Sequence, residues 1–431
     1  MDTPRRRRAP PRVIPRSAEE APFLLATALE MGRLANDALL RAGVGEAVIV
    51  GDARRGVELV RELSMVVRGP CNASSLARAL RQAAAGDAVE IVDACTVRMR
   101  FEGGGPACLR VVAPGAFVEA LLRGTGSARH VRWLSTMASR EGGLAAMCKR
   151  CCTEADLYAA LGVPFAPPEL REGSTRRVSE IVGEVKGIFH MHTTWSDGVA
   201  TIAEMARAAR DAGFGYVGIT EHSKTATYAG GLDATQLAKQ ARAIARARSD
   251  VPGVVLLHGV EVDVLPDGSL DLDDATLASL DFVIASVHAS LDMQYGEMTA
   301  RMLRAVRHPL VTILGHPTGR LLLGRKGSSF DLDAVADAAA ANDTFLEINA
   351  NPQRLDLGEE LVRRAAARGA RFAIDPDAHS PRGVRDTALG VSVARRAGLA
   401  PAQVLNTRGA REVAAYLGSR KRKAKRALAL G

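Results

Sequence analysis

In Phe189-His190-Met191-His192 two histidines alternate at the end of an apolar run. On a β-strand that spacing sends both imidazoles to one face. Asp197 follows in Thr193-Thr194-Trp195-Ser196-Asp197-Gly198. The pattern then recurs. His222 closes Thr220-Glu221-His222-Ser223, Glu261 lies in Gly259-Val260-Glu261-Val262-Asp263, and His288 ends Ser286-Val287-His288. His316 stands in Gly315-His316-Pro317, and Asp377 and His379 follow one more apolar run. Any one of these histidines alone reads as a hydrogen-bonded core residue. Six of the nine in the chain, each at the end of an apolar run and interleaved with acids, do not. Imidazole with carboxylate suits Zn, Mn or Fe better than Cu(I) or Ca. Nine candidate ligands exceed the four of one tetrahedral ion, so two or three ions are expected. Carboxylate-bridged ions are the arrangement that clamps both oxygens in a phosphoester displacement. His130, His258 and His308 lack this context and read as structural.

The elements that must position these residues begin at Gly187. Predicted strands at 187–193, 216–222, 254–264, 282–288, 311–316, 344–349 and 371–376 alternate with helices at 199–212, 234–248, 296–306, 331–342, 358–369 and 386–397. Seven βα repeats imply a parallel sheet, most economically closed into a barrel with its chemistry at the strand ends. Upstream the texture is α+β. An amphipathic helix over 17–43 carries Leu24, Leu25, Ala28, Met31, Ala35, Ala38 and Leu39 on one stripe. Strands at 46–50 and 63–67, a helix at 74–85, strands at 88–101 and 107–112, and a helical piece at 153–161 follow. The Pro-rich stretch from Val163 marks a linker within 162–186.

The order His-x-His, Asp, His, Glu, His, His, Asp-x-His resembles the PHP (polymerase and histidinol phosphatase) domain. Much of 187–415 is similar to that domain in bacterial family X DNA polymerases, most closely from His190 to Gly198, at Gly231-Leu232-Asp233, from Gly315 to Leu321 and from Asn351 to Leu357. The resemblance implies an α/β fold with a C-terminal distorted (β/α)7 barrel. It also implies a trinuclear Mn or Zn centre held by His190, His192, Asp197, His222, Glu261, His288, His316, Asp377 and His379. Family members use such a site for 3′–5′ exonuclease, apurinic-site endonuclease and 3′-phosphodiesterase activities. Ile188 stands where the family usually has an acid, and Glu221 where it usually has Asp. Both lie beside the ligand set and could tune the metals without removing one.

Residues 17–161 resemble the palm and thumb of the same polymerases. Thr153 to Glu172 is similar to the thumb-to-PHP junction, and Gly51 to Ser64 to the palm signature. Nucleotidyl transfer needs three palm carboxylates to hold two Mg²⁺. Here those positions read Glu62, Ser64 and Cys108. Cysteine is a poor Mg²⁺ ligand, and the roughly 45 residues ahead of the palm leave no room for the lyase and finger regions, so polymerisation is expected to be lost. Gly124 to Ser127 and the pair Arg54-Arg55 are the parts that could still contact DNA; an inert domain packed on the barrel is the alternative.

Lys and Arg number 57 against 48 acids, a net charge of +9. The ends carry that excess: 1–16 hold +5 and Arg420 to Arg426 hold +6, which leaves the body at −2. We therefore read 1–16 and 416–431 as basic tails, solvated or gripping phosphate. Only 4% aromatic residues argue against a platform of stacked bases. Six cysteines are too few for a disulfide scaffold, and the single CxxC at Cys148 and Cys151 has no second pair at zinc-ribbon spacing. No apolar stretch spans a bilayer and no signal peptide is evident, so a cytoplasmic protein is expected. These features predict a metal-dependent phosphoesterase acting on DNA 3′ ends or abasic sites. Arg320, Arg354 and Lys224 are the candidate phosphate contacts. The alternatives are a small-molecule phosphomonoesterase of the histidinol-phosphatase kind, and a non-enzymatic DNA-binding protein with structural metals.

Overall fold

The computed structural model describes residues 21–69, 71–83, 88–173 and 181–429. The N-terminal basic run, the start of the 17–43 helix and the middle of the 162–186 linker lie outside the described residues.

The first unit is α+β. Its five-stranded sheet runs Glu46–Val50, Leu63–Arg68, Pro106–Val112, Thr96–Arg100, Ala88–Ile91 across its width. The second and third strands are parallel and the other neighbours antiparallel. Period-2 alternation divides the faces. Leu63, Met65 and Val67, with Ala107, Leu109 and Val111, are buried in the cluster that includes helices Leu25–Arg41 and Ala73–Gln82. Val66 lies on the opposite face in a small cluster with Val50, Phe117 and Leu121. The chain then winds through Phe117–Thr125, Ala128–Ala138, Leu144–Lys149 and Glu154–Ala160, around a separate core of Leu122, Leu134, Met147, Leu157 and Tyr158.

From Gly187 every strand pair is parallel. A three-stranded sheet orders Val255–His258, Tyr216–Ile219, Gly187–Ile188. A five-stranded one orders Glu261–Asp263, Ile284–Ser286, Ile313–Leu314, Phe345–Asn349, Arg371–Asp375. Parallel bridges at His222–Glu261 and Met191–Ala378 join the two sheets at both edges. The single strand expected at 254–264 is thus broken at Gly259-Val260. Gly259 faces the Phe282 ring so closely that a Cβ would sit 2.6 Å from it. Phe282 in turn packs edge-on against Phe189. Helices surround the sheets, several opened by capping boxes such as Thr201 with Glu204 and Asp233 with Gln236.

One expectation is overturned. Residues 416–427 are not a tail but the last two thirds of a helix, Ala410–Ala427. Val413, Leu417 and Ala424 are buried on it, and Val413 and Leu417 join Phe189, Tyr216, Phe282 and Phe345 in the plug at the starting ends of the strands. Arg420 is buried too, its guanidinium donating to the carbonyls of Asn342, Asp343 and Val311. The charge run hid an apolar stripe with helical spacing, and a snorkelling arginine at 420 extends it. Lys421 donates to the Ser279 carbonyl. Much of this basic segment therefore lies at the end of the sheets opposite the strand-end histidines.

The two units meet at the loop after Arg55. Gly56 (φ 72°) passes so close to Ser392, on helix Thr387–Ala397, that a Cβ would lie 1.9 Å from its Oγ. Arg396 donates to the Arg55 carbonyl and pairs with Glu172 at 3.4 Å. Among the described residues no helix is long and apolar enough to cross a membrane.

Candidate metal centre

Nine side chains converge where the parallel strands end. Glu261 is the hub. Its Oε1 lies 2.9 Å from His316 Nε2, 3.2 Å from His288 Nε2 and 3.3 Å from His190 Nε2. Its Oε2 lies 2.8 Å from His222 Nδ1 and 3.6 Å from His192 Nε2. Asp377 Oδ1 stands 3.3 Å from His192 Nε2 and 3.6 Å from His190 Nε2. Asp197 spans His379 Nε2 at 3.3 Å and His222 Nε2 at 3.5 Å. Three overlapping donor groups result: His192, Asp197, His222 and His379; His190, His192 and Glu261; His222, Glu261 and His288.

The donor set fits divalent cations on its own chemistry. His190 Nε2, both nitrogens of His192, His222 Nδ1, His316 Nδ1 and Glu261 Oε2 are buried and have no hydrogen-bond partner. Orphaned donors and acceptors of that kind are costly unless something binds them. Two of the ligands also sit in left-handed backbone, His316 at φ 21° and Asp377 at φ 51°, strain that persists where the surroundings fix it. Electrostatics agree. Burial opposes charge on His222, yet Glu261 and Asp197 raise it to about 10. Burial likewise opposes charge on His288, and Glu261 and Asp263 raise it to about 9. Burial and the neighbouring His222 and His379 push His192 down to about 3. Glu261 and Asp377 are held well below the usual carboxylate range, the histidines outweighing burial. Protons on these imidazoles compete with metal for the same lone pairs.

Behind the nine stands a ring of residues that sequence reasoning missed. His190 donates from Nδ1 to Glu347 at 2.7 Å, and His288 from Nδ1 to Asp263 at 2.7 Å. Each bond fixes the tautomer that leaves Nε2 facing Glu261. Asn349 donates to both Glu347 and Asp377 at 3.1 Å. A signal existed. Glu347 and Asn349 interrupt the fully buried strand Phe345–Asn349, and a carboxylate there is unaffordable without partners. The side chain of Glu221, one of the departures noted in the sequence, hydrogen-bonds none of the nine. It accepts from Thr193 N, Thr193 Oγ1, Ser196 Oγ and Gln240 Nε2 and so holds the turn that presents Asp197. Ile188, the other, is buried apolar core.

The candidate phosphate contacts separate. Arg354 reaches the centre, its Nε 3.5 Å from Asp377 Oδ2. Lys224 is exposed, two residues beyond His222. Arg320 is a correction. Its guanidinium is spent on Glu58 of the first unit (2.6 Å) and on the carbonyls of Arg354 and Leu355, so it ties the units together. Of the other histidines, His130 bonds Gly173 O and Tyr158 Oη, His258 bonds Gln240, and His308 bonds Asp274, all away from the centre.

In the first unit, Ser64 and Cys108 are parallel partners in register and line a cavity of about 450 Å³ with Val50, Val66, Arg110 and Arg123. Arg98 is paired with Cys108 in the sheet and lies 4.0 Å from Glu62. Arg54 and Arg55, which the sequence offered as DNA contacts, are engaged internally, Arg54 with Thr125 and Glu154, Arg55 with Asp52, Glu172 and the Thr125 carbonyl.

Fold and site define the class: an α/β domain with a candidate His/carboxylate metal centre at its strand ends. The PHP domain family matches residues 189–351. The chain is 36% identical over 339 residues to the DNA polymerase/3′-5′ exonuclease PolX of Bacillus subtilis (strain 168), a match covering 75% of this chain and 60% of that protein. It is 30% identical over 253 residues to a probable phosphatase of Thermoanaerobacter sp. (strain X514), covering 54% of this chain and 95% of the relative. A probable phosphatase of Syntrophotalea carbinolica is 27% identical over 227 residues, 50% of this chain and 90% of the relative. The chain belongs to the PHP family, as a PolX-like protein whose PHP domain follows a smaller N-terminal unit. It spans 60% of the length of the Bacillus relative.

Proposed function

We propose that this chain is a metal-dependent phosphoester hydrolase acting on DNA, at 3′ ends or abasic sites, with its polymerase activity lost. The observation that carries the reading is the convergence of three carboxylates and six histidines with buried, unpartnered nitrogens around Glu261. Two to three Mn, Zn or Fe ions held by these nine residues would supply Lewis acidity toward the phosphoryl oxygens. Glu347 and Asp263 hold the imidazole tautomers, Glu221 presents Asp197, and Arg354 with Lys224 offers cations to the phosphate. We read the bridged parallel sheets from Gly187 through helix Ala410–Ala427 as one distorted seven-stranded barrel, and residues 21–161 as a degenerate palm and thumb. Arg98 beside Glu62 and Cys108 supports the loss of polymerisation, since a neighbouring guanidinium charge opposes Mg²⁺ there. A cytoplasmic location goes with this reading.

A second reading keeps the centre and gives it a small phosphomonoester. The match over 95% of a protein named a probable phosphatase favours it. The test is hydrolysis by the Mn²⁺-loaded chain of 3′-labelled DNA against p-nitrophenyl phosphate. Release of the 3′ label supports the first reading. Turnover of the phosphomonoester alone replaces it with the second.

A further inference from the structure

We propose that Tyr228 is a stacking subsite for the nucleobase, or other planar group, esterified to the phosphate at the metal centre. This rests on the phosphoesterase reading above. Tyr228 is 73% exposed, and a single exposed aromatic is ordinary by itself. Its position is not. The ring centroid lies 6.2 Å from that of His222, one of the nine converging residues, with the planes at 55°. Asp263, Glu261, Asp197 and Arg354 are within electrostatic reach of its phenol. The exposed ring therefore stands beside the His/carboxylate cluster.

Its mount is rigid. Tyr228 is the middle of a short 3₁₀ turn, Thr227–Ala229, whose flanking Ala226 and Ala229 are buried. Thr225 N donates to Asp271 Oδ2 at 2.8 Å, and Leu232 N to the His222 carbonyl at 2.8 Å. Gly231 packs so tightly that a Cβ would fall 1.9 Å from the Ser223 carbonyl oxygen. The turn is thus bolted to the strand end that carries His222, and the ring needs little ordering when a ligand arrives. Arg354, beside Asp377, supplies the charge for the phosphate, and Tyr228 supplies a π face for what the phosphate carries. Stacking on one aromatic face tolerates any base. That suits an enzyme working inward from a 3′ end whatever the sequence.

The experiment compares three substrates on the Mn²⁺-loaded full chain: a single-stranded oligonucleotide, p-nitrophenyl phosphate and glycerol 2-phosphate, which has no ring. In Tyr228→Ala the KM for both ring-bearing substrates should rise about tenfold relative to that for glycerol 2-phosphate. Tyr228→Phe should restore the ratio, because the face and not the hydroxyl is used. Tyr295→Ala, an exposed tyrosine at the start of helix Tyr295–Val306, serves as the control and should leave the ratio unchanged. Equal losses on all three substrates, no change in the ratio, or failure of Tyr228→Phe to rescue would overturn the subsite. Wild-type protein that ignores DNA but hydrolyses the two phosphomonoesters ends the DNA reading, and the nitrophenyl-to-glycerol ratio still decides the subsite. Absence of turnover on all three substrates ends both.

Discussion

The two halves of this chain bury carboxylates in opposite ways. In the N-terminal unit the one buried carboxylate among the described residues is answered by two guanidiniums of the same chain. Glu154 is sandwiched by Arg54 and the fully buried Arg171. In the parallel-sheet unit Glu261, Asp377 and Asp197 face imidazoles almost exclusively, with Arg354 3.5 Å from Asp377 as the nearby exception. An arginine carries its charge at any working pH, so an Arg–carboxylate pair is a finished structural element. A histidine is neutral or cationic as its surroundings dictate, and when neutral it offers a lone pair. The first arrangement holds a fold together. The second presents lone pairs that a divalent cation can use.

The largest effect that would test this contrast is removal of a carboxylate from the parallel-sheet unit. Asp377→Ala should lose bound metal and at least about a thousandfold in turnover, several kcal/mol of metal-centred stabilisation at 1.36 kcal/mol per tenfold. Elemental analysis alongside kinetics checks it, with two to three ions per chain expected for the wild type. Retention of metal and activity would remove Asp377 from the site.

Next is the finished pair. Glu154→Gln leaves two guanidiniums without their partner and should cost about 3–5 kcal/mol of stability, read as a lower Tm with the metal content unchanged. Burial raises the Glu154 carboxyl, but Arg171 and Arg54 outweigh it and hold it below its usual value. A depressed carboxylate stabilises above its unfolded pKa, about 4.3, and that contribution disappears as pH falls through the folded value. Glu154→Gln should therefore flatten the acid limb of the stability profile. Loss of metal in this variant would mean that the two halves are not independent.

A smaller change probes the ring behind the ligands. Glu347→Gln keeps the shape but removes the charge that accepts from His190, and should lower metal affinity about 10–100-fold. Titration of the metal-free protein with Mn²⁺ measures it. An unaltered affinity would assign Glu347 to packing alone.

The smallest expected effect is none. Wild-type protein should not extend a primed template with Mg²⁺ or Mn²⁺, and Glu62→Gln should change nothing. Template-directed extension would show that the guanidinium at Arg98 does not close this part of the N-terminal unit to metal.

The sequence by itself determined which nine residues converge at the candidate centre. Period-2 alternation and strand-end placement made His190, His192, Asp197, His222, Glu261, His288, His316, Asp377 and His379 legible, because those patterns are local and the chain direction of a parallel sheet brings all strand ends to one side. The fold class was legible for the same reason, as alternating apolar runs and helical stretches. Tertiary structure alone decided what each polar group was for. Arg320 reads as a phosphate contact until Glu58, 262 residues away, occupies it. The bases after residue 419 read as a tail until Val413 and Leu417 close the bottom of the sheets and Arg420 finds three carbonyls. Glu347 reads as one acid in a strand until the fold brings His190 to it across 157 residues. Charge and hydrogen-bonding capacity are written in the sequence, but the partner that satisfies them is set by long-range packing.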